Sequence, residues 1–459
     1  MLLIIVISVV ALGGFLYGCA SQGPYRTLSP APGKDQDLNR LTVENHDDLG
    51  YRVGYVEFDQ QGWFWMPDRS QLSDVQQMVS ESAQLGQGHK PRPIIMVAFV
   101  HGWKNNAEGG LEPPNANNVT EFKAELQDIA KSEKDSAKTC PVPRSPRPVV
   151  GVYLGWPGLS VNKDPLMELT FFSRKNVGDR VGLYGGVTEV LTRLNELSNS
   201  INSDLGNLVQ NSEDRSYFVV VGHSFGAQVV YDSLSAIMTE ELAGKRIDHY
   251  VRRVKSSSPE KVKLELAAAP RDAENAELVK PFGDLVVLVN PAFEAERYYN
   301  LKTLSERFPY DPRQRPVLAI FCSETDWATH YVFGVGRFFS TMFHGYRGDD
   351  LHDLQKRTDV QTIPWTDEFV THWLVTQKEY TAGDAIPETS PWDGTTRVRP
   401  WSMGPCVLYP NSKNTGPWAP FYVARTSKAV MNGHDDIWNS TFQDFLIHFI
   451  GSITQDRKR

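Results

Sequence analysis

Gly222, His223, Ser224, Phe225 and Gly226 form a Gly-x-Ser-x-Gly string that follows the apolar run Tyr217 to Val221 and precedes the helix-compatible stretch Ala227 to Ile237. That context has a chemical meaning. A tight strand-to-helix turn holds the serine in a strained backbone conformation, and glycines flank it because neighbouring side chains would clash there. The turn lifts the hydroxyl above the sheet edge, at a helix N-terminus whose dipole and unbonded N–H groups favour developing negative charge. The expected chemistry is nucleophilic attack by Ser224. The resulting oxyanion needs donors, and His101, Gly102 and Trp103 leave a second apolar run, Pro93 to Val100, at a point where Gly102 lets the backbone turn. The backbone N–H groups of Trp103 and Phe225 are the predicted oxyanion-hole donors. The His101 side chain is read as a packed strand-end residue.

A serine hydroxyl at its ordinary pKa is a weak nucleophile, so a base and an orienting acid must lie elsewhere in the chain. Gly433, His434 and Asp435 follow the strand-like Phe421 to Ala424 and precede a terminal helix with Phe442, Phe445, Leu446, Phe449 and Ile450 on helical spacing. The elbow and this Gly-His ending resemble the α/β-hydrolase superfamily, and the resemblance runs in element order from Tyr51 to Ile450. It implies partners in the chain order serine, acid, histidine. His434 is then the base, the one histidine of 11 with this placement, and His330, His344, His372 and His448 are structural. The strand Val317 to Cys322 is followed by Ser323, Glu324, Thr325 and Asp326, similar to the strand-Gly-x-x-Asp arrangement of the family with Ser323 in place of glycine. Asp326 is the leading acid; Glu294, after the preceding strand, and Glu324 are the other candidates. More closely, Val100 to Ala107, Leu154 to Gly158, Leu169 to Arg180 and Asp326 to Thr329 resemble a bacterial lipase- or esterase-like branch, which leaves the substrate open.

The elements that must position these residues alternate. Strands are expected at Tyr51 to Phe58, Trp63 to Trp65, Pro93 to Val100, Val149 to Leu154, Tyr217 to Val221, Leu285 to Val289, Val317 to Cys322 and Phe421 to Ala424. Helices are expected at Gln71 to Gln84, Val119 to Ser132, Val187 to Val209, after Ser224, and at Ser440 to Ile450. Such alternation predicts an α/β domain, a mostly parallel central sheet with helices on both faces. The 459 residues suit one large domain over 46–459, with insertions at about 157–181, 239–282 and 327–420. The last is rich in Trp, Tyr, Pro and Gly and is expected to be a lid, cap or binding surface; a carbohydrate-binding surface is the rival reading. Arg174 and Lys175, in the first insertion, are read as a solvated or salt-bridged face, with binding of an anionic substrate group as the alternative.

Leu2 to Tyr17 is a nearly unbroken apolar run ending in Gly18 and Cys19. It reads as a signal peptide over 1–19 whose end resembles a bacterial lipobox, with Cys19 as the lipidated residue and 20–45 as a flexible tether. An uncleaved anchor and an ordinary secretion signal are the other readings, and all three send the folded part across a membrane. The expected location is the cell envelope, with the protein held as a membrane lipoprotein. A net charge of -8 and the lack of a long basic stripe argue against a nucleic-acid partner. Cys140, Cys322 and Cys406 make no dense disulfide framework; a Cys140–Cys406 bridge and unpaired thiols are both open, and Cys322 reads as a buried small hydrophobe. No His or Cys spacing suggests a metal, and no cofactor is expected. The expected activity is hydrolysis of small-molecule or lipid carboxylic esters through Ser224, Asp326 and His434. The alternatives are amide or thioester cleavage or acyl transfer on the same triad, and a tethered binding protein without catalysis.

Overall fold

Short runs of Val, Ile, Leu and Phe bounded by turn residues become strands that are buried on both faces, and the strands Val149–Gly155, Leu285–Val289 and Leu318–Ser323 have no exposed position at all. The computed structural model describes residues 23–31, 36–85, 91–111, 117–140, 144–159, 170–205, 215–256, 278–306, 310–311, 313–381, 400–411, 413–414 and 419–455. The strands are β1 (Val43–His46), β2 (Tyr51–Glu57), β3 (Ile95–Val100), β4 (Val149–Gly155), β5 (Tyr217–His223), β6 (Leu285–Val289), β7 (Leu318–Ser323), β8 (His372–Thr376), β9 (Trp401–Met403), β10 (Cys406–Pro410) and β11 (Phe421–Thr426). They make one 11-stranded sheet in the order β1-β2-β4-β3-β5-β6-β7-β11-β8-β10-β9. Pairing is parallel from β2 through β8, while β1 at one edge and β10 and β9 at the other run antiparallel.

The helices are α1 (Ser70–Ser82), α2 (Asn118–Thr139), α3 (Phe171–Leu183), α4 (Gly186–Leu205), α5 (Phe225–Ser256), α6 (Ala295–Ser305), α7 (Phe333–Ser340), α8 (His352–Val360) and α9 (Ser440–Gln455). Alternate residues of each strand feed opposite cores, as a period of two requires. Met96, Ala98 and Val100 of β3 pack with α1, α4, α5 and α6, whereas Val97 and Phe99 face α2. Phe442, Phe445 and Phe449 of α9 pack on Phe321 of β7, all on the second face. The expected α/β architecture with helices on both faces is therefore present.

From β3 the chain moves to β4 on one side, then returns to β5 on the other. Such a switch point opens a crevice beyond the carboxyl ends of the strands, where ligands bind in open α/β sheets. The turns after β3 and β5 flank that crevice.

Four expectations are corrected. The chain is not a tether as far as residue 45. Arg26 is fully buried, its guanidinium on Glu44 at 2.7 Å, on the Ala107 carbonyl at 2.8 Å and over the Tyr55 ring, and β1 already pairs with β2. Polar anchoring of this kind leaves no apolar run to read. Trp63 to Trp65 is not a strand but a turn with one bridge, Phe58 to Phe64. The 327–420 stretch is not all insertion: β8, β10 and β9 extend the sheet beyond β11, and a π-helical turn (Ala328–Val332), α7, α8 and two 3-10 turns (Ile363–Trp365 and Asp367–Phe369) precede them, with 382–399, 412 and 415–418 outside the described residues. Cys406 is a buried free thiol in β10, so the Cys140–Cys406 bridge is not formed; Cys322 is buried in β7 as expected. In the 239–282 stretch, α5 runs on to Ser256, and 257–277 lie outside the described residues. So do the run Leu2 to Tyr17, Cys19, residues 160–169 and the end of the Val187 to Val209 stretch beyond Leu205. No helix among the described residues is long and apolar enough to cross a membrane.

Candidate active site

Ser224 stands between the last residue of β5 and the first of α5, with φ at +57°. That left-handed conformation is uncommon for a residue with a side chain and marks local strain. The flanking glycines are sterically required: a Cβ at Gly226 would lie 2.1 Å from the Val100 carbonyl oxygen, and one at Gly222 would lie 2.7 Å from the Gly226 carbonyl oxygen. The strained turn is tied down from β6, because the Ser224 N–H donates to the Val289 carbonyl at 3.0 Å and its own carbonyl accepts from Ala292 at 3.2 Å.

The three residues singled out from the sequence meet here. Ser224 Oγ lies 2.7 Å from His434 Nε2, and His434 Nδ1 lies 2.8 Å from Asp326 Oδ2. The arrangement assigns the imidazole proton to Nδ1, donated to Asp326, and leaves Nε2 to accept from the serine hydroxyl. Each side chain stands at the carboxyl end of a parallel strand: Ser224 after β5, Asp326 after β7, His434 after β11. Asp326 is fully buried, and its other oxygen accepts from the Thr329 N–H at 3.1 Å. Burial alone would raise its pKa, but the facing imidazole and the Thr329 bonds outweigh it and hold the carboxyl below the usual range. Burial likewise pushes His434 down, and Asp326 more than offsets this, so the imidazole sits above its ordinary value.

The other acid candidates are occupied elsewhere. Glu324 is exposed and accepts from the Lys428 N–H at 2.9 Å. Glu294 is buried among Lys175, Arg297 and Arg337. Lys175 is thus salt-bridged, one half of what was expected, but buried rather than on a solvated face. Arg174 is buried too, donating to the Pro157 carbonyl at 3.0 Å, and burial lowers its pKa.

The loop after β3 abuts the nucleophile, since a Cβ at Gly102 would come within 2.8 Å of the Ser224 Cβ. His101 is fully buried and its tautomer is determined by its neighbours: Nε2 accepts from the Trp156 N–H at 3.0 Å, so Nδ1 carries the proton donated to the Gly102 carbonyl at 2.8 Å. Burial drives its pKa down to about 4 and keeps it neutral. In a planar trans peptide the N–H points opposite to the C=O. Holding the Gly102 carbonyl on His101 therefore aims the Trp103 N–H the other way. Phe225, as the first residue of α5, has one of the N–H groups that a helix leaves without an internal partner. Both predicted donors thus belong to backbone beside Ser224. Beside them Phe171 packs on Trp103 and Phe225, with ring centroids 5.1 and 4.9 Å apart.

Sequence reasoning missed the residues that carry the His434 loop. Asn290, directly after β6 with φ at +45°, donates to the His434 carbonyl at 2.7 Å and to the Gly433 carbonyl at 3.2 Å, and accepts from the Ser323 N–H at 2.9 Å. Ser323 Oγ donates to the Met431 carbonyl at 2.7 Å and accepts from the Gly433 N–H at 3.1 Å. His223 Nε2–H donates to the His434 carbonyl at 3.0 Å, and burial beside His434 lowers its pKa to about 4. An asparagine at a strand end was the one signal on hand, since it tolerates the left-handed region. His223, His434 and Asp435 bring ligand atoms within 4.8 Å of one another, but both His434 nitrogens and His223 Nε2 already have partners. That leaves too few free ligand atoms for a metal site there.

The assembly holds a strained serine, an imidazole within reach of its proton, a buried carboxylate behind it and two backbone donors alongside, which is what attack on a carbonyl carbon requires. Comparison of the chain with protein-family models, with curated proteins and with solved structures finds no match to any of them.

Proposed function

We propose that this chain is a serine hydrolase of the α/β-hydrolase fold that cleaves carboxylic esters through a Ser224–His434–Asp326 triad. The observation that carries the reading is the unbroken relay from Ser224 Oγ to His434 Nε2 at 2.7 Å and from His434 Nδ1 to Asp326 at 2.8 Å. The fold assignment is supported by the elbow's strand-turn-helix setting and by acid and histidine that follow later strands in the order that family uses.

His434 takes the Ser224 proton as Oγ attacks the ester carbonyl, and the Trp103 and Phe225 N–H groups receive the oxyanion. Collapse expels the alcohol, which leaves with the proton from His434. Water, deprotonated by the same imidazole, then attacks the acyl-serine, and the acid departs. Asp326 keeps the imidazole oriented and stabilises its cation at both stages. With the Leu2 to Cys19 segment as a lipidated leader, the enzyme would be a lipoprotein of the cell envelope.

A fluorophosphonate probe tests the reading. The chain is expected to label at Ser224, and Ser224→Ala is expected to abolish labelling and p-nitrophenyl ester hydrolysis together. Undiminished labelling of Ser224→Ala overturns it. A series of acyl lengths then ranks the substrates.

A further inference from the structure

Half of the large apolar side chains that are exposed among the described residues fall in one segment directly after the triad acid: Trp327, Tyr331, Val335, Phe338, Met342 and Phe343. The first five succeed one another at intervals of four, four, three and four residues, the spacing of a single helical stripe. Trp327 is 66 % and Phe343 94 % exposed. The stripe runs from the residue before the π-helical turn, through α7, into the turn that follows it, and the opposite face of α7 is the one that packs. Phe333 is fully buried, a Cβ at Gly336 would collide with the Phe172 ring, and Arg337 reaches Glu294, which follows β6 at its carboxyl end. α7 therefore lies across the carboxyl edge of the sheet, the edge that carries Ser224, with its apolar stripe turned away from the protein.

The N-terminal segment leaves from this same edge. The N–H groups of Tyr25 and Arg26 donate to the carboxylate of Glu57, the last residue of β2, and the Tyr25 hydroxyl accepts from Asn106 in the loop after β3. Five residues lie between Cys19 and Tyr25, a leash of at most about 20 Å. In the sheet order β2 lies on one side of β5 and β7 on the other, so the leash and the stripe flank Ser224.

We propose that the carboxyl edge of the sheet docks onto a lipid bilayer: the outward stripe of Trp327, Tyr331, Val335 and Met342, with Phe343, enters the interface, the leash from Cys19 holds the other side, and Ser224 opens toward the membrane. The substrate class is then an ester whose acyl chain resides in the bilayer. This substrate assignment rests on the ester-hydrolase reading above, whereas the docking itself does not. A short leash on one flank and an amphipathic helix on the other are enough to orient the protein at an interface.

The full-length chain in phosphatidylcholine vesicles with brominated acyl chains tests the docking directly. Trp327 is expected to be quenched, so that Trp327→Phe removes a quenched component from the tryptophan emission; an unchanged quenched fraction overturns the docking even if the protein hydrolyses no ester. The triple variant Tyr331→Ser, Val335→Ser, Phe343→Ser tests the substrate class. Hydrolysis of a long-chain ester held in vesicles is expected to fall at least tenfold, with hydrolysis of a soluble short-chain p-nitrophenyl ester unchanged. Equal loss on both substrates, or no loss on the vesicle ester, overturns the substrate class. A dimer in detergent that the triple variant dissociates would assign the stripe to a second copy of the chain and overturn the docking.

Discussion

Glu294 and Asp326 are both buried carboxylates that follow neighbouring parallel strands at one edge of the sheet, yet their electrostatic surroundings differ in kind. Glu294 is held by Lys175 at 2.8 Å, Arg297 at 2.8 Å and Arg337 at 3.2 Å. Burial raises its pKa, but these cations prevail and bring it down to about 2. Asp326 has no such cage. It faces one imidazole, at 2.8 Å, and Thr329, through its N–H at 3.1 Å and its side chain. With its pKa so far down, Glu294 stays a carboxylate across the physiological range, and through Lys175, Arg297 and Arg337 it joins α3, α6 and α7 as an ionic clasp. An imidazole changes charge within that range. The carboxylate placed to orient a titrating imidazole is therefore the one with the fewer cations around it.

Replacing each acid by its amide separates the two roles. Asp326→Asn is expected to lower kcat by about 10⁴-fold by favouring the wrong His434 tautomer, with thermal stability nearly unchanged; steady-state kinetics beside a melting curve checks both. Glu294→Gln is expected to do the reverse. It leaves Lys175, Arg297 and Arg337 short of a countercharge and costs about 3–5 kcal/mol of stability, with the turnover per folded molecule retained. A well-folded Glu294→Gln protein that fails to turn over would erase the distinction.

pH sharpens the same contrast. The base must be neutral, and the His434 pKa is raised, so kcat/KM is expected to fall about tenfold per pH unit below a midpoint above the ordinary histidine value of about 6.5. The Glu294 pKa is depressed to about 2. Its contribution to stability is complete above the unfolded value of about 4.3 and is lost only as pH falls from there toward the folded value. Activity should therefore disappear well before the clasp does, with circular dichroism and kinetics read on the same samples.

Smaller effects are expected nearby. Asn290→Ala removes two donors from the His434 loop, about 1–3 kcal/mol of positioning, and is expected to depress kcat more than it raises KM. Glu324→Gln, on an exposed side chain that caps the Lys428 N–H, is expected to change stability by less than about 0.5 kcal/mol and activity not at all. A large loss of kcat there would reopen the choice of acid.

Most strands and the parts of the relay were legible because each is local. A run such as Leu285 to Val289 has few other ways to bury five apolar residues, and the Gly222 to Gly226 elbow writes its strain into glycines. His434 could be picked out by its place between a strand and the aromatic-rich terminal helix. Asn290 and Ser323 could not, because their partners, His434 and Met431, are more than a hundred residues away. Arg26 was concealed for a related reason: its burial depends on Glu44, Tyr55 and Ala107 rather than on its neighbours in the chain. The 327–420 stretch misled in the opposite sense. Its aromatic richness suggested a lid, but Leu374, Trp401 and Leu408 belong to strands that extend the central sheet, and only the pairing of β8 with β11 reveals this.

By itself the sequence determined the alternating α/β pattern, the strained serine turn and the choice of Ser224 and His434, with Asp326 the leading one of three acids, because periodicity and steric demand act over a few residues. Tertiary structure decided which of Glu294, Glu324 and Asp326 meets the imidazole, that His101 orients a peptide beside Ser224, and that the stripe from Trp327 to Met342 lies on the Ser224 edge. Each of these depends on the order in which strands lie side by side, and strand order arises from long-range packing that no local pattern encodes.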